Sequence, residues 1–163
     1  MEIPKAHNLW VPFMTLLVAF TLRTINLPGV AVYGAPDWVA LAVIYWVLAI
    51  PYRFGIFFAF LVGLVVDVHE GVPLGLNGFC LAFVAYAALV LHQRIRIYPP
   101  VQQAGMVLLI LAAYLVIKHT LRGFIGLSPQ QSFLYLVPAV TSAFIWPLIY
   151  LTLRGLRIRY RVK

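Results

Sequence analysis

The most informative stretch of this 163-residue chain runs Gly63-Leu64-Val65-Val66-Asp67-Val68-His69-Glu70-Gly71-Val72-Pro73-Leu74-Gly75-Leu76, because it brings two acids and an imidazole within one helical turn. Such groups are the raw material of proton transfer or metal binding. His69 lies too close to the following loop to read as a ligand, and His7, His92 and His119 are far off in sequence, with no HExxH-like spacing. Cys80 is the single cysteine and sits in an apolar run, which excludes an internal disulfide or a cysteine-based metal site. No acid and base pair, activated nucleophile or metal cluster can be assembled, so the residues point away from an enzyme and imply no cofactor.

The same stretch reads better as architecture. Gly63, Asp67 and Gly71 recur every four residues and share a face if the helix continues through Glu70, and small residues on a face let another helix approach. Pro73, Leu74 and Gly75 then turn the chain into the next apolar segment. An acid near a helix C terminus opposes the macrodipole, so Asp67 needs a partner. Two solutions are open: a basic residue on the same side, Arg23, Lys118 or Arg122, or a carboxylate that is hydrated or caps the next turn. A structural role is expected over proton relay, since no second acid shares its depth.

These residues are held by a chain that is 64% hydrophobic and 10% charged, against about a quarter charged in ordinary soluble domains. Such a chain cannot cover itself with water-compatible surface. The expected fold is therefore all-α: one polytopic membrane domain over residues 1–163, with spans at about 9–22, 37–51, 54–69, 75–92, 102–118 and 133–153 and a basic tail at 154–163. Lys5 ahead of the first segment mimics a secretory leader, but no small-residue cleavage site follows Arg23, so a retained span is expected. Pro28, Gly29 and Pro36, then Pro51, then Gly71 and Pro73, then Pro99 and Pro100, and last Gly126 and Pro129 punctuate the segments. Asp37 suits the first turn of the second helix.

A net charge of +8 raises the question of nucleic acid, but no recognition helix or stacking platform stands apart from the apolar segments, so none is expected. The basic residues instead orient the helices. Counting over six spans puts Lys5, Arg53, Arg94, Arg96, Arg154, Arg157, Arg159, Arg161 and Lys163 inside, against Arg23, Lys118 and Arg122 outside, and Asp37, Asp67 and Glu70 also fall outside. The positive-inside rule then makes both ends cytoplasmic. Five spans, with the second and third segments fused across Pro51, is the rival and would place the arginine-rich tail outside.

Four signatures stand out from the hydropathy: Pro36-Asp37-Trp38, Tyr45-Trp46 followed by Pro51-Tyr52-Arg53-Phe54-Gly55, Gly63-Leu64 to Asp67, and Gly71-Val72-Pro73-Leu74-Gly75-Leu76, with Gln102-Gln103 a weaker echo. In these residues the chain resembles the MreD family of rod shape-determining proteins. The resemblance implies the cytoplasmic (inner) membrane of a rod-shaped bacterium and a non-catalytic scaffold for lateral peptidoglycan synthesis. The partners it implies are the single-span protein MreC, the glycosyltransferase RodA, a penicillin-binding transpeptidase and, directly or indirectly, the MreB filament. It also implies a fold similar to the substrate-binding subunits of energy-coupling-factor transporters, which makes a small-solute capture subunit the alternative function.

A passive mechanism suits such a scaffold. Small residues, Gly63 and Gly71 on the third segment or Ala139, Ser142 and Ala143 on the sixth, would either receive the MreC span or pack within the bundle. The Arg157-Ile158-Arg159-Tyr160-Arg161-Val162-Lys163 tail alternates basic and apolar residues. It reads as a positive-inside anchor on anionic lipid, or as an extended segment that adds to a partner's sheet.

Overall fold

Apolar on every side, the segment Trp38–Ala49 can satisfy its side chains only by being surrounded, and it is the centre of the bundle. All its residues from Val39 to Leu48 are buried. In the computed structural model, which describes residues 10–25, 34–127 and 133–160, six α-helices and one 3-10 turn account for the described regular structure, with no strand among those residues. They are α1 (Trp10–Thr24), α2 (Trp38–Ala49), α3 (Ile56–Glu70), α4 (Leu76–Ile95), α5 (Pro100–Phe124) and α6 (Val137–Arg159), the last preceded by the 3-10 turn Phe133–Leu136. Lys5, His7, Leu9, Pro28, Gly29, Pro129, Arg161 and Lys163 lie outside the described residues.

Local chemistry sets the helix ends. The Asp37 carboxylate accepts the Ala40 N–H at 3.2 Å and so begins α2. Pro51 has no N–H to continue that helix, and the Phe54 N–H closes a turn on the Ile50 carbonyl at 3.1 Å before α3 starts. α2 and α3 are thus separate helices rather than one long helix broken at Pro51. Extended Pro99 leads into Pro100 at the start of α5, where a missing N–H costs nothing.

α2 is enclosed by α1, α4 and α6; α3 packs on α4, and α5 lies between α4 and α6. The peripheral helices keep apolar stripes exposed, such as Phe57, Leu61, Val65 and Val68 on α3 and Val140, Phe144, Leu148 and Leu151 on α6. Stripes of this length suit lipid rather than water. Leu76–Ile95, Pro100–Phe124 and Phe133–Arg159 are each long and apolar enough to cross a membrane, while α1 and α2 are shorter apolar helices.

The helix axes alternate. Polar contacts among Arg23, Asp37, Glu70, Asn77, Lys118 and Ser142 gather the C-terminal ends of α1, α3 and α5 with the N-terminal ends of α2, α4 and α6. The opposite end carries the α2–α3 connection, the α4–α5 connection and the end of α6. There α6 stays helical to Arg159, so Arg157, Ile158 and Arg159 do not form the two-faced extended segment that their alternation suggested.

Candidate functional site

Asp67 is fully buried, and its carboxylate is the N-terminal cap of the next helix. Its Oδ1 accepts the Asn77 N–H at 2.7 Å, and its Oδ2 accepts the Gly75 N–H at 2.8 Å and, more weakly, the Gly78 N–H at 3.4 Å. Gly75, at the start of α4, has no side chain with which to cap those donors, so the acid at the end of α3 supplies the acceptor. The amide end of α4 also offsets the unfavourable dipole of Asp67's own helix. Of the two solutions left open for Asp67, capping is the one adopted, and the basic residues turn elsewhere.

The glycines around it divide by role. A Cβ on Gly63 would stand 2.4 Å from Gly78 Cα and 2.6 Å from the Asn77 carbonyl oxygen, so bare backbone meets bare backbone where α3 crosses α4. Gly71, at φ +65°, ends α3 in the left-handed conformation that glycine adopts without strain. The Val72 N–H returns to the Asp67 carbonyl at 3.2 Å. A Cβ at Gly71 or at Gly75 (φ +103°) would meet nothing within 4 Å, so neither admits a neighbouring helix; both are there for backbone shape. Pro73 accepts the Leu76 N–H at 3.3 Å, and Leu74 projects from the turn at 72% exposure. Ala139, Ser142 and Ala143 are buried, so these small residues of α6, like Gly63, are used inside the bundle rather than offered to a partner span.

The cations on the same side as Asp67 converge on Glu70 and Asp37. Glu70 pairs with the Arg23 guanidinium, with Lys118 at 3.4 Å and with Arg122 at 2.6 Å, and its other contact is the Asn77 side-chain amide at 2.9 Å. Arg23 also reaches Asp37 at 3.1 Å. The Tyr114 hydroxyl donates to Asp37 Oδ2 at 3.0 Å, while the Asp37 N–H donates to Ser142 Oγ at 2.9 Å. One guanidinium therefore bridges a carboxylate held by α2 to one held by α3, and every helix contributes a residue. Sequence reasoning weighed Asp67 alone and missed Glu70 and Arg23 as its centre. The available signal was that charge counting had already put Arg23, Asp37, Asp67, Glu70, Lys118 and Arg122 on one side.

Pro51 and Arg53 lie at the opposite end, where the structure does not bring them to Asp67. Between α4, α5 and α6, Gln103 donates to the Ile95 and Tyr98 carbonyls at 3.0 Å each and accepts the Trp146 indole N–H at 3.2 Å. Gln103 thereby closes the α4–α5 connection against α6. Arg154, Arg157 and Arg159 lie on the last turns of α6.

The described carboxylates thus join helix ends to one another. Among the described residues, no three of His, Cys, Asp and Glu come together as a metal site would require. These features define a class: an all-helical, apolar protein whose few acids clasp one end of the bundle. The family model for the rod shape-determining protein MreD matches residues 5–156, and the chain belongs to that family. It is 28% identical over 158 residues to the rod shape-determining protein MreD of Haemophilus influenzae, covering 94% of each chain. No solved structure matches it significantly. Family membership supports a role in rod shape determination, and the three long apolar helices suit a membrane protein.

Proposed function

We propose that this chain is a non-catalytic, six-span scaffold of the cell-elongation machinery in the bacterial cytoplasmic membrane, with both ends cytoplasmic. In this reading it supports lateral peptidoglycan synthesis by binding MreC and, with it, RodA, a penicillin-binding transpeptidase and, directly or indirectly, the MreB filament. The observation that carries the architecture is the alternation of helix ends. Of the charges that the positive-inside count assigns to the outer face, Arg23, Asp37, Glu70, Lys118 and Arg122 meet in one network beside Asp67, which caps α4, and the described arginines it assigns to the inner face lie at the other end. A passive role suits side chains that bond each other rather than an open cleft.

The MreC span would dock on an outward helix face. α5 offers the one with the smallest side chains, Gly105, Leu109, Ala113 and Val116 in helical register and exposed. A Cβ at Gly105 meets nothing within 4 Å, so bulk there disturbs a partner before it disturbs the bundle. The test is co-purification of MreC from native membranes with the wild-type chain and with Gly105→Leu and Ala113→Leu. Loss of MreC with unchanged amounts of folded protein is expected; undiminished recovery would remove α5 from the interface, and recovery of a transport ATPase instead would overturn the scaffold reading. A fold akin to energy-coupling-factor substrate-binding subunits belongs to the same proposal. Solute capture itself is disfavoured, because Arg23, Glu70, Asp37, Lys118 and Tyr114 already satisfy one another.

A further inference from the structure

The two ends of the bundle treat cations in opposite ways. Arg23, Lys118 and Arg122 each pair with a carboxylate. Arg53, Arg94, Arg96, Arg154, Arg157 and Arg159 lie at the other end, while the described acids, Asp37, Asp67 and Glu70, are all at the far one. Arg94, Arg96, Arg154 and Arg159 are exposed. Helix C-terminal dipoles answer only about half a charge at each of α4 and α6, so among the described residues Arg94, Arg96, Arg154 and Arg159 carry more positive charge than those dipoles and the distant acids offset.

Apolar groups stand among these arginines. Ile97 (81% exposed), Val101 (73%) and Ile158 (65%) lie beside them in the chain, and the Tyr52 and Tyr98 side chains are also exposed. That apolar surface continues along the helices through Val90 on α4 and Leu148 and Leu151 on α6. A guanidinium layer over tyrosine and aliphatic side chains matches the order of phosphate, glycerol and first acyl methylenes at a membrane surface. A water-borne acidic partner would match the charge but not the apolar continuation. The last turn of α6 is also held in place, since the Trp10 ring meets the Tyr160 ring edge-on at 5.3 Å.

We infer that this end is a binding site for anionic phospholipid, with Arg94, Arg96, Arg154 and Arg159 on the headgroup phosphates and Ile97, Val101 and Ile158 at the acyl boundary. The inference rests on the reading of the chain as membrane-spanning, but not on MreC or on which leaflet the end faces. Its test uses the full chain purified in a neutral detergent, with thermal unfolding followed on adding phosphatidylglycerol, phosphatidylcholine or glycerol phosphate. Phosphatidylglycerol should raise Tm by several degrees and the other two should not. Combined R94Q, R96Q, R154Q and R159Q should remove at least half of that shift and leave Tm in detergent alone unchanged. An equal response to phosphatidylcholine, an equal response to glycerol phosphate, or a full shift in the variant would each overturn the site. Should the fourfold variant fold poorly, native mass spectrometry of R94Q/R96Q and R154Q/R159Q separately gives a second reading. Each pair should retain fewer phosphatidylglycerol molecules than wild type, and equal retention would overturn the assignment.

Discussion

One end of this bundle is tied by carboxylates and the other is left positive, although the two are built from the same alternating helices. At the Glu70 end, three cations, two acids and a tyrosine hydroxyl join helices that have little else polar in common. At the Arg154 end, packing does much of that work through Trp46 against Phe54, Tyr45 against Tyr150 and Trp10 against Tyr160, with Trp146 to Gln103 and Trp46 to Thr15 as neutral polar links. Where charges are satisfied inside the fold they belong to stability, and where they are not they are free for the surroundings. Substitutions should therefore fall unequally on the two ends.

The largest effect belongs to Gly63. With Gly78 Cα 2.4 Å from where its Cβ would be, Gly63→Leu should abolish recovery of folded protein, and even Gly63→Ala should cost about 2 kcal/mol or more, read as a Tm loss in detergent. A well-tolerated Gly63→Leu would contradict the α3–α4 contact. Asp67→Ala comes next. It strips the acceptor from amides at the start of α4 and should cost about 3 kcal/mol, with Asp67→Asn recovering part because one oxygen remains to accept. Glu70→Ala should cost about 2 kcal/mol, less than a deeply buried pair would, since Arg122 is partly open to solvent and screened there. Smallest of all, Arg154→Gln or Arg159→Gln should move stability by no more than about 0.5 kcal/mol in neutral detergent. If the Arg154 pair outweighed Glu70 in such a series, the contrast between the ends would be lost.

Much of the architecture was legible because the bilayer leaves so few options. Apolar segments must become helices, Pro51 and Pro99-Pro100 must interrupt them, and arginine placement must alternate. The acid at position 67 was also visible as a residue that needed satisfying. Its solution was not, because a cap supplied across a turn by the preceding helix depends on backbone N–H directions, which residue types do not encode. The bridging of Asp37 and Glu70 by Arg23 requires helices distant in sequence to meet at one depth, and only the fold brings them there. The choice between inward and outward use of Ala139, Ser142 and Ala143 stayed open for a related reason: small residues look the same whether they face a partner or a neighbour.

Labelling cysteines in intact cells tests the opposition of the two ends most directly. With Cys80, which is buried, replaced by serine, single cysteines at Leu74 and at Ile97, exposed by 72% and 81%, report one end each. Leu74→Cys should react with a membrane-impermeant maleimide added outside, and Ile97→Cys should react only after the membrane is opened. The reverse pattern, or reaction of both from the same side, would contradict the account.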